Sequence, residues 1–445
     1  MESCSMSDPG SEETRPLIRE SFFYAPEVIE DIQAKAELGR YRVRGFGTLR
    51  KLPSFDDLTF VTAGMSRVPL EGYRESCSTK TVIGSRNATE PLKLDTPIYI
   101  TGMSYGALSK TAKVALGKAA TETGTMTVTG DGGMLLEERE ASRLLMYQVL
   151  PSRYGFNPDH LKSANALEIV IGQGAKPGTG GLLMGLKVSE TIADQRELPA
   201  GIDQRSPVRH PDWMGSDDLM IKIEELREVT DGKVPIFIKL GAGRVTDDVK
   251  LAAKVGADAI VIDGMEAGTG ASPELQLDHT GIPTMPATVE AVRALQDLGL
   301  EEEVDIIVSG GITSGADVAK ALALGAKGVA IGTAALIALN CNKSIYINDY
   351  ERLGTRPGAC HHCHTGLCPV GITTQDPELE SRLNLEEAAE RVTNYLNALT
   401  LEVQLISRAC GKRDIHNLEP EDLRALTLDA SAMTGIPLVG SNKVY

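Results

Sequence analysis

The chain has 445 residues, of which 24% are charged and only 4% are aromatic, and its formal net charge is −16. This acidic balance argues against nucleic acid or an anionic membrane as a partner, and no apolar run reaches the ~20 residues of a membrane span. The seven cysteines are an odd number with three clustered, a poor disulfide framework, so we expect a cytoplasmic protein with a metal or cluster site.

Five segments can be predicted along the chain. Residues 1–20 are polar and acidic, without the basic and apolar regions of a secretory signal, and are predicted to be a disordered tail. Residues 21–90 are predicted to be an N-terminal segment of mixed structure. A barrel over 91–345 and a metal-binding loop over 346–376 follow, and 377–445 is predicted to be helical because 383–411 keeps helical spacing up to a glycine stop.

Short aliphatic runs alternate with helical patterns in the middle of the chain. The predicted strands are PIYITGM (97–103), TMTVTG (125–130), LEIVIGQG (167–174), VPIFIKLG (234–241), DAIVIDG (258–264), VDIIVSGG (304–311) and KGVAIGT (327–333). Because these runs lack alternation, both faces of each strand are expected to be buried in a parallel sheet. This pattern predicts an α/β fold, a (β/α)8 TIM barrel, with a doubly wound open sheet as the alternative.

Nearly every predicted strand ends in glycine or a polar residue, and in a barrel these ends form the face that carries active sites. The turns that contain Ser309 to Gly311 and Gly332 with Thr333 follow the last two strands, where barrels commonly bind phosphate. The alternative is two tight turns without a ligand. Lys239 ends an apolar strand, where it faces either solvent or the edge of a flavin.

A glycine-rich run, GQGAKPGTGGLLMG, spans residues 172–185 and contains Lys176. Ordering such a run is costly, which suggests that it has a role. Lys176 could hold the carboxylate of a small acid as a compact charge. The alternative is a disordered surface loop.

Three cysteines, Cys360, Cys363 and Cys368, have the spacing C-x2-C-x4-C and are followed by a proline. Three thiolates with no fourth nearby, together with a Cys-Pro step, favour a three-iron cluster. Zinc completed by one of the neighbouring histidines and a loop without metal are the alternatives. The other cysteines, including Cys341, are predicted to be isolated.

Several motifs together resemble the FMN- and [3Fe-4S]-binding synthase domain of glutamate synthase. They are TGMSYGALSK, VTGDGG, QGAKPGTGG, EAGTGASP, SGGITSGADVAKALALGAKGVAIGT and HTGLCPVGITTQ. Over nearly the whole chain the sequence is similar to the stand-alone form of this domain in N-methylglutamate synthases, including the flanks RGFGTLRKLPSFDDLTF, PLEGYRE, GIDQRSPVRHPDW and ACGKRDIHNLEPEDL. Two features depart from the large glutamate synthases, which have a longer first cysteine spacing and a glutamine substrate contact where this chain has Leu182.

The resemblance implies roles for individual residues. The residues that it assigns to FMN are Met103, Ser104, Gly130, Gln173, Lys239, Gly268, Ser309, Gly310, Gly311, Gly332 and Thr333. It assigns Lys176 and Arg153 to the carboxylates of 2-oxoglutarate, and Lys239 also to the edge of the reduced flavin. The three clustered cysteines are then the ligands of the [3Fe-4S] cluster.

The resemblance also implies an enzyme that forms N-methyl-L-glutamate from L-glutamate and methylamine through an imine of 2-oxoglutarate. The alternative is a glutamate synthase subunit that uses ammonia. Implied partners are a glutaminase-like amidotransferase subunit and a further small subunit in a hetero-oligomer. No dinucleotide motif is present, so NAD(P)H is not expected to bind. Other FMN barrels, of the inosinate dehydrogenase or hydroxy-acid oxidase type, and a degenerate barrel that serves as a scaffold are the remaining readings.

Overall fold

The computed structural model describes residues 21–72 and 74–445, so the predicted tail, 1–20, lies outside the described residues. The chain divides into one unit that ends at Arg42 and a second, Val43–Tyr445. In the first unit, helix α1 (Pro26–Leu38) begins with a proline in its first turn and ends at Gly39, whose φ of 61° is typical of a helix C-cap.

The second unit contains the strands and the remaining helices. The strands are β1 (Val43–Phe46), β2 (Leu58–Phe60), β3 (Thr81–Ile83), β4 (Leu92–Leu94), β5 (Ile98–Ile100), β6 (Met126–Val128), β7 (Leu144–Val149), β8 (Ala166–Val170), β9 (Leu182–Leu183), β10 (Gln204–Arg205), β11 (Ile236–Gly241), β12 (Ala259–Asp263), β13 (Thr269–Pro273), β14 (Asp305–Ser309), β15 (Gly328–Ile331) and β16 (Leu423–Ala425). The helices are α2 (Lys110–Glu122), α3 (Leu136–Ala141), α4 (Pro158–Ser163), α5 (Glu190–Arg196), α6 (Ser216–Val229), α7 (Val245–Lys254), α8 (Glu274–His279), α9 (Thr284–Gln296), α10 (Gly315–Ala323), α11 (Thr333–Ala338), α12 (Ile347–Arg352), α13 (Pro377–Glu380), α14 (Leu385–Ala409) and α15 (Leu428–Thr434).

Eight parallel strands form the predicted TIM barrel. Their order in the sheet is β5-β15-β14-β12-β11-β8-β7-β6, so the first strand pairs with the last, as closure of a barrel requires. At the remaining seam the Thr125 hydroxyl donates to the carbonyl oxygen of Ile98 (2.6 Å), which links β5 to the start of β6. The open doubly wound sheet is therefore excluded.

One barrel strand, β7, was not among the predicted strands. Its sequence is LLMYQV, which contains the polar Gln148 and is followed by a leucine and a proline instead of a glycine turn. The structure places β7 between β6 and β8 with five consecutive buried residues. The strand was not predicted because a polar side chain interrupts its aliphatic pattern. That side chain, Gln148, belongs to the site described below.

The barrel has an inner and an outer apolar layer. Alternate residues of the strands, such as Met146, Phe237, Val261 and Ile307, pack inside the barrel, and their neighbours pack against the surrounding helices. The longest helix, α14, lies against α2 and α10 on the outside. None of the described helices is both long enough and apolar enough to cross a membrane.

Candidate functional site

A cavity of about 410 Å3 opens at the carboxyl ends of the barrel strands. The loops that follow the strands surround it, as is usual for the active sites of TIM barrels. Of the residues assigned above to FMN, to substrate and to the cluster, all but Arg153 line this cavity. One space thus brings together segments that are more than 250 residues apart along the chain.

A layer of polar side chains closes the barrel interior below the cavity. Inward-facing positions alternate along each strand, so Gln148, Lys239, Asp263 and Ser309 follow the apolar inner residues two positions earlier. The Lys239 ammonium is buried 3.6 Å from Asp263 Oδ2 and donates to Thr101 Oγ1 (3.2 Å). Burial raises the pKa of Glu168, which accepts a hydrogen bond from Gln148 in the same layer, while the positive charge of Lys239 opposes that rise.

Glycines at the ends of the last two barrel strands form a cradle whose backbone is exposed to the cavity. Gly310 and Gly311 follow β14 with φ angles of 104° and 72°, which other residues rarely adopt. A Cβ on Gly268 would lie 2.2 Å from Thr333 Oγ1, so these loops approach too closely for any side chain. With Gly332 after β15, the cradle occupies the position where barrels bind phosphate, and its residues fit the phosphate of FMN.

Two buried cations, Lys176 and Arg196, line the cavity near the glycine-rich loop. Lys176 is only 3% exposed and its ammonium donates to the carbonyl oxygen of Ala271 (2.6 Å). Within the described residues no carboxylate oxygen lies within 4.0 Å of either cation. Burial lowers the pKa of Lys176 to about 8, while the charge of the Asp131 carboxylate, which also lines the cavity and acts on Arg196 too, opposes that fall. With two cations beside this one carboxylate, the site favours an anionic ligand.

Arg196 ends helix α5 and was not among the predicted site residues. Its guanidinium donates to Gln204 Oε1 (3.1 Å) and to two backbone carbonyl oxygens, of Tyr105 (2.8 Å) and Asp131 (3.0 Å), whereas Nε has no partner. Gly132 leaves the space for it, since a Cβ there would lie 2.6 Å from Nε. Because Arg196 lines the cavity, its buried guanidinium is placed to bind an anion there.

Arg153, by contrast, is turned away from the cavity. Its guanidinium pairs with both carboxylate oxygens of Asp212 (2.7 and 2.9 Å), and Lys222 contacts the same carboxylate (2.8 Å). The structure therefore does not bring Arg153 together with Lys176, and its assignment to the substrate stays a prediction.

The cysteine loop forms another wall of the cavity. Cys360, Cys363 and Cys368 line it, and Lys187 holds the loop in place by donating to the carbonyl oxygen of Cys363 (3.1 Å). Burial raises the pKa of Cys363 to about 11, while the nearby Lys187 ammonium opposes the rise. Cys341 lines the same wall, which corrects the prediction that it is isolated.

The spacing of these thiols fits a polynuclear cluster better than a single ion. Among the described residues, no three of the cysteine sulfur atoms lie within 4.8 Å of one another, whereas three carboxylates elsewhere do. A tetrahedral zinc ion with Zn–S bonds of ~2.3 Å would hold its sulfur ligands roughly 3.8 Å apart. An iron–sulfur cluster binds each thiolate to a different iron and therefore accommodates larger distances between the sulfur atoms.

The glycine-rich loop around Lys176 is packed and not a disordered surface segment. The Gly174 N–H donates to Asp263 Oδ2 (2.7 Å), and a Cβ on Gly174 would lie 2.0 Å from the carbonyl oxygen of Gly264. These contacts with the barrel rim offset the conformational entropy that is lost when the loop is ordered. They also fix the position of Lys176 at the cavity.

Comparisons with known proteins identify the family of this chain. A family model described as a conserved region in glutamate synthase matches residues 50–413. A glutamate synthase large subunit-like protein of Rhizobium meliloti (strain 1021) is 55% identical over 424 residues, which cover 95% of this chain and 96% of that protein. The archaeal glutamate synthase (NADPH) of Methanocaldococcus jannaschii is 37% identical over 415 residues, which cover 87% of this chain and 78% of that protein.

Among solved structures, a double variant of flavocytochrome b2 with sulfite bound has a TM-score of 0.52 at 19% identity. The match covers 88% of this chain and 80% of that one. At this level of identity the likeness concerns the fold alone.

Proposed function

The chain belongs to the glutamate synthase family of enzymes, and on this premise we propose that it is the synthase subunit of an N-methylglutamate synthase. The reaction would form N-methyl-L-glutamate from L-glutamate and methylamine. The observation that carries the proposal is a pair of buried cations, Lys176 and Arg196, on one cavity with a phosphate cradle and with no carboxylate of the described residues within 4.0 Å of either. Two cations suit a substrate with two carboxylates, as both glutamate and 2-oxoglutarate have.

Methylamine is favoured over ammonia by the apolar side of the cavity. Leu182 lines the cavity six positions after Lys176, in β9, where the resemblance implies a glutamine in the large glutamate synthases. An apolar side chain suits the methyl group of methylamine and offers no hydrogen bond to ammonia. Leu182 is therefore the residue on which this choice of amine rests.

Different residues of the cavity would have separate roles in this reaction. A bound FMN would supply the two-electron chemistry, taking hydride from glutamate and returning it to the N-methylimine, so that no outside reductant is needed. Lys176 and Arg196 would bind the two carboxylates and fix the orientation of the reacting carbon. Lys239 would favour negative charge at the adjacent edge of the cofactor. Glu266 lines the cavity, and because burial raises its pKa it is suited to take the proton from methylammonium before the amine displaces ammonia.

The second candidate is a glutamate synthase subunit that aminates 2-oxoglutarate with ammonia. The names of the relatives favour it, and in that reaction electrons would enter from a partner through the cluster. For either reaction we propose a cytoplasmic hetero-oligomer with a glutaminase-like amidotransferase subunit and a further small subunit. Native mass measurement of the complex isolated from its source would test this assembly.

One assay separates the two reactions. The holo-complex is incubated with L-glutamate and 15N-methylamine without any reductant, and the products are analysed by mass spectrometry. The expected result is N-methylglutamate that carries one 15N atom, formed much more slowly by an Arg196→Met variant at L-glutamate concentrations below the raised KM. Failure to form it, together with reductant-dependent formation of glutamate from 2-oxoglutarate and ammonia, would overturn the first reaction in favour of the second.

A further inference from the structure

One carboxylate oxygen of Asp263 connects two parts of the cavity. Asp263 ends strand β12, is buried and lines the cavity. Its Oδ2 lies 3.6 Å from the Lys239 ammonium and also accepts a hydrogen bond from the Gly174 N–H (2.7 Å). Gly174 belongs to the loop that contains Gln173 and Lys176. The charge of Asp263 therefore lies between the lysine assigned to the flavin edge and the loop assigned to flavin and substrate.

The position of this carboxylate is fixed by the backbone around it. The carbonyl oxygen of Asp263 accepts from the Ala242 N–H (2.8 Å), just after β11, and the Gly264 N–H donates to the carbonyl oxygen of Ser309 (2.8 Å), at the end of β14. A Cβ on Gly174 would lie 2.5 Å from the carbonyl oxygen of Asp263, so the loop packs directly on the end of the strand. Neighbours on both sides of β12 therefore hold the Asp263 side chain beside the ammonium.

The surroundings of this ion pair contain little that could screen its charges. A second carboxyl group, that of Glu168 on β8, lies near both partners, because the charge of Lys239 lowers its pKa and the charge of Asp263 raises it, on top of the rise caused by burial. The Tyr99 hydroxyl is buried beside the two carboxyl groups and has no hydrogen-bond partner among the described residues. Away from water, the charge of Asp263 acts strongly on its neighbours.

We propose that Asp263 is a positioning residue that sets the reduction potential of the bound flavin by countering the charge of Lys239. This inference deepens the proposed function and rests on its FMN site. Reduction adds negative charge to a flavin, so a nearby cation raises its potential and a nearby carboxylate lowers it. In the proposed cycle the same flavin takes a hydride from glutamate and returns it to the imine. A flavin that was reduced too easily would keep the hydride, and the charge of Asp263 prevents this.

The test is the midpoint potential of the flavin in the purified full-length protein, measured without oxygen by a redox titration that is followed at the flavin absorbance. Asp263→Asn keeps the size of the side chain and an oxygen that can accept from Gly174, but it removes the charge. Reduction should become roughly tenfold more favourable, which is a shift of about +30 mV for a two-electron couple. Asp263→Ser, which is smaller and also neutral, should shift the potential in the same direction, so that an effect of charge is separated from an effect of shape.

Asp258→Asn is the matched control. Asp258 is a buried aspartate at the other end of β12, and it does not line the cavity. Its carboxylate accepts from the Ile236 N–H (2.7 Å) and from Asn87 Nδ2 (2.9 Å). Removal of its charge should lower the melting temperature and leave the flavin potential at the wild-type value, so a general loss of stability would be recognised.

An unchanged or more negative potential in the two Asp263 variants would overturn the inference, and so would an equal positive shift in Asp258→Asn. Loss of flavin from both Asp263 variants would overturn it as well, since Asp263 would then be needed to bind the cofactor and not to set its potential. In each of these cases a wild type that binds FMN and forms N-methylglutamate leaves the proposed function intact. A wild type that binds no flavin would overturn the proposed function together with this inference.

Discussion

Recognition of a dicarboxylate depends on two buried cations, Lys176 and Arg196, and no carboxylate oxygen of residues 21–72 and 74–445 lies within 4.0 Å of either. Replacement of Arg196 by methionine should raise the KM for L-glutamate by roughly 10- to 150-fold, because a charge-assisted hydrogen bond contributes ~1.5–3 kcal/mol. Arg153→Met is the matched control, since the Arg153 guanidinium is paired with Asp212 outside the cavity, and its KM should change by less than about twofold. Steady-state kinetics on both variants measure this. Equal increases in KM would show that Arg153 reaches the substrate.

The low pKa of Lys176 predicts a pH dependence of substrate affinity. The ammonium is charged below its pKa of about 8 in the ligand-free site and becomes neutral as the pH rises through that value. The two carboxylates of L-glutamate stay ionised throughout, so its KM should be constant near pH 7 and increase by up to about tenfold per pH unit above 8. Lys176→Arg, which keeps its charge, should remove this increase between pH 7 and 9.5. A wild-type profile that is flat over that range would contradict the assignment.

Lys176 could be predicted as a site residue from the sequence, whereas Arg196 could not. Lys176 lies in a glycine-rich run and Lys239 ends an apolar strand, so local sequence makes both conspicuous. Arg196 is an ordinary arginine at the end of a short helix, and only the fold returns it to the glycines of the loop after β6. Cys341 was missed for the same reason, because the cavity that it lines together with Cys360 is formed by a loop whose course the sequence does not reveal.

At the scale of elements, the strand-end glycines should control cofactor binding. The Cβ of Gly332→Ala would meet Thr101 Cγ2 at 3.0 Å and project into the cradle, and overpacking of this kind costs ~1–3 kcal/mol. FMN affinity should therefore fall by roughly 5- to 150-fold, which can be measured from the flavin retained after gel filtration and released on denaturation. Gly215→Ala is the control, since its φ is −140° and a Cβ there meets nothing within 4 Å. Full retention of flavin in Gly332→Ala would mean that the phosphate binds elsewhere.

The barrel strands illustrate why most elements, but not all, follow from the pattern. Strands such as β11 and β12 are mostly aliphatic runs that end in glycine or aspartate, and both were predicted to within two residues. The missed strand, β7, carries Gln148, which pairs with Glu168 of β8 at an inward position of the polar layer, and it is followed by Leu-Pro instead of a glycine turn. A polar residue that belongs to the site therefore interrupts the aliphatic run by which this strand would have been predicted.

At the scale of the whole molecule, the cluster loop and the barrel form a single cavity, so metal binding and order in the loop should be coupled. The loop is tied to the rest of the unit by few backbone contacts: Gly45 N–H donates to His361 O (3.0 Å), and Ser109 N–H donates to Ile372 O (2.8 Å). The part that contains Cys360, Cys363 and Cys368 depends most on its ligand, because every residue of 358–368 is half-buried or exposed, whereas Val370 and Ile372 are 3% and 1% exposed.

Removal of iron by an anaerobic chelator should therefore increase amide hydrogen exchange in residues 358–368 while 370–375 stay protected. A ligand at about 100 times its dissociation constant stabilises the binding state by about 2.7 kcal/mol, so protection in the loop should fall by up to about 100-fold. The pair β3 and β4 is the internal control, because it packs at the amino ends of the strands, where the Gly84 N–H donates to Asp305 Oδ2 (2.7 Å). Exchange measured by mass spectrometry should be unchanged there. If exchange in β3 and β4 increased as much as in the loop, the metal would stabilise the barrel as a whole. If exchange changed in neither region, the predicted coupling between metal binding and order in the loop would be wrong.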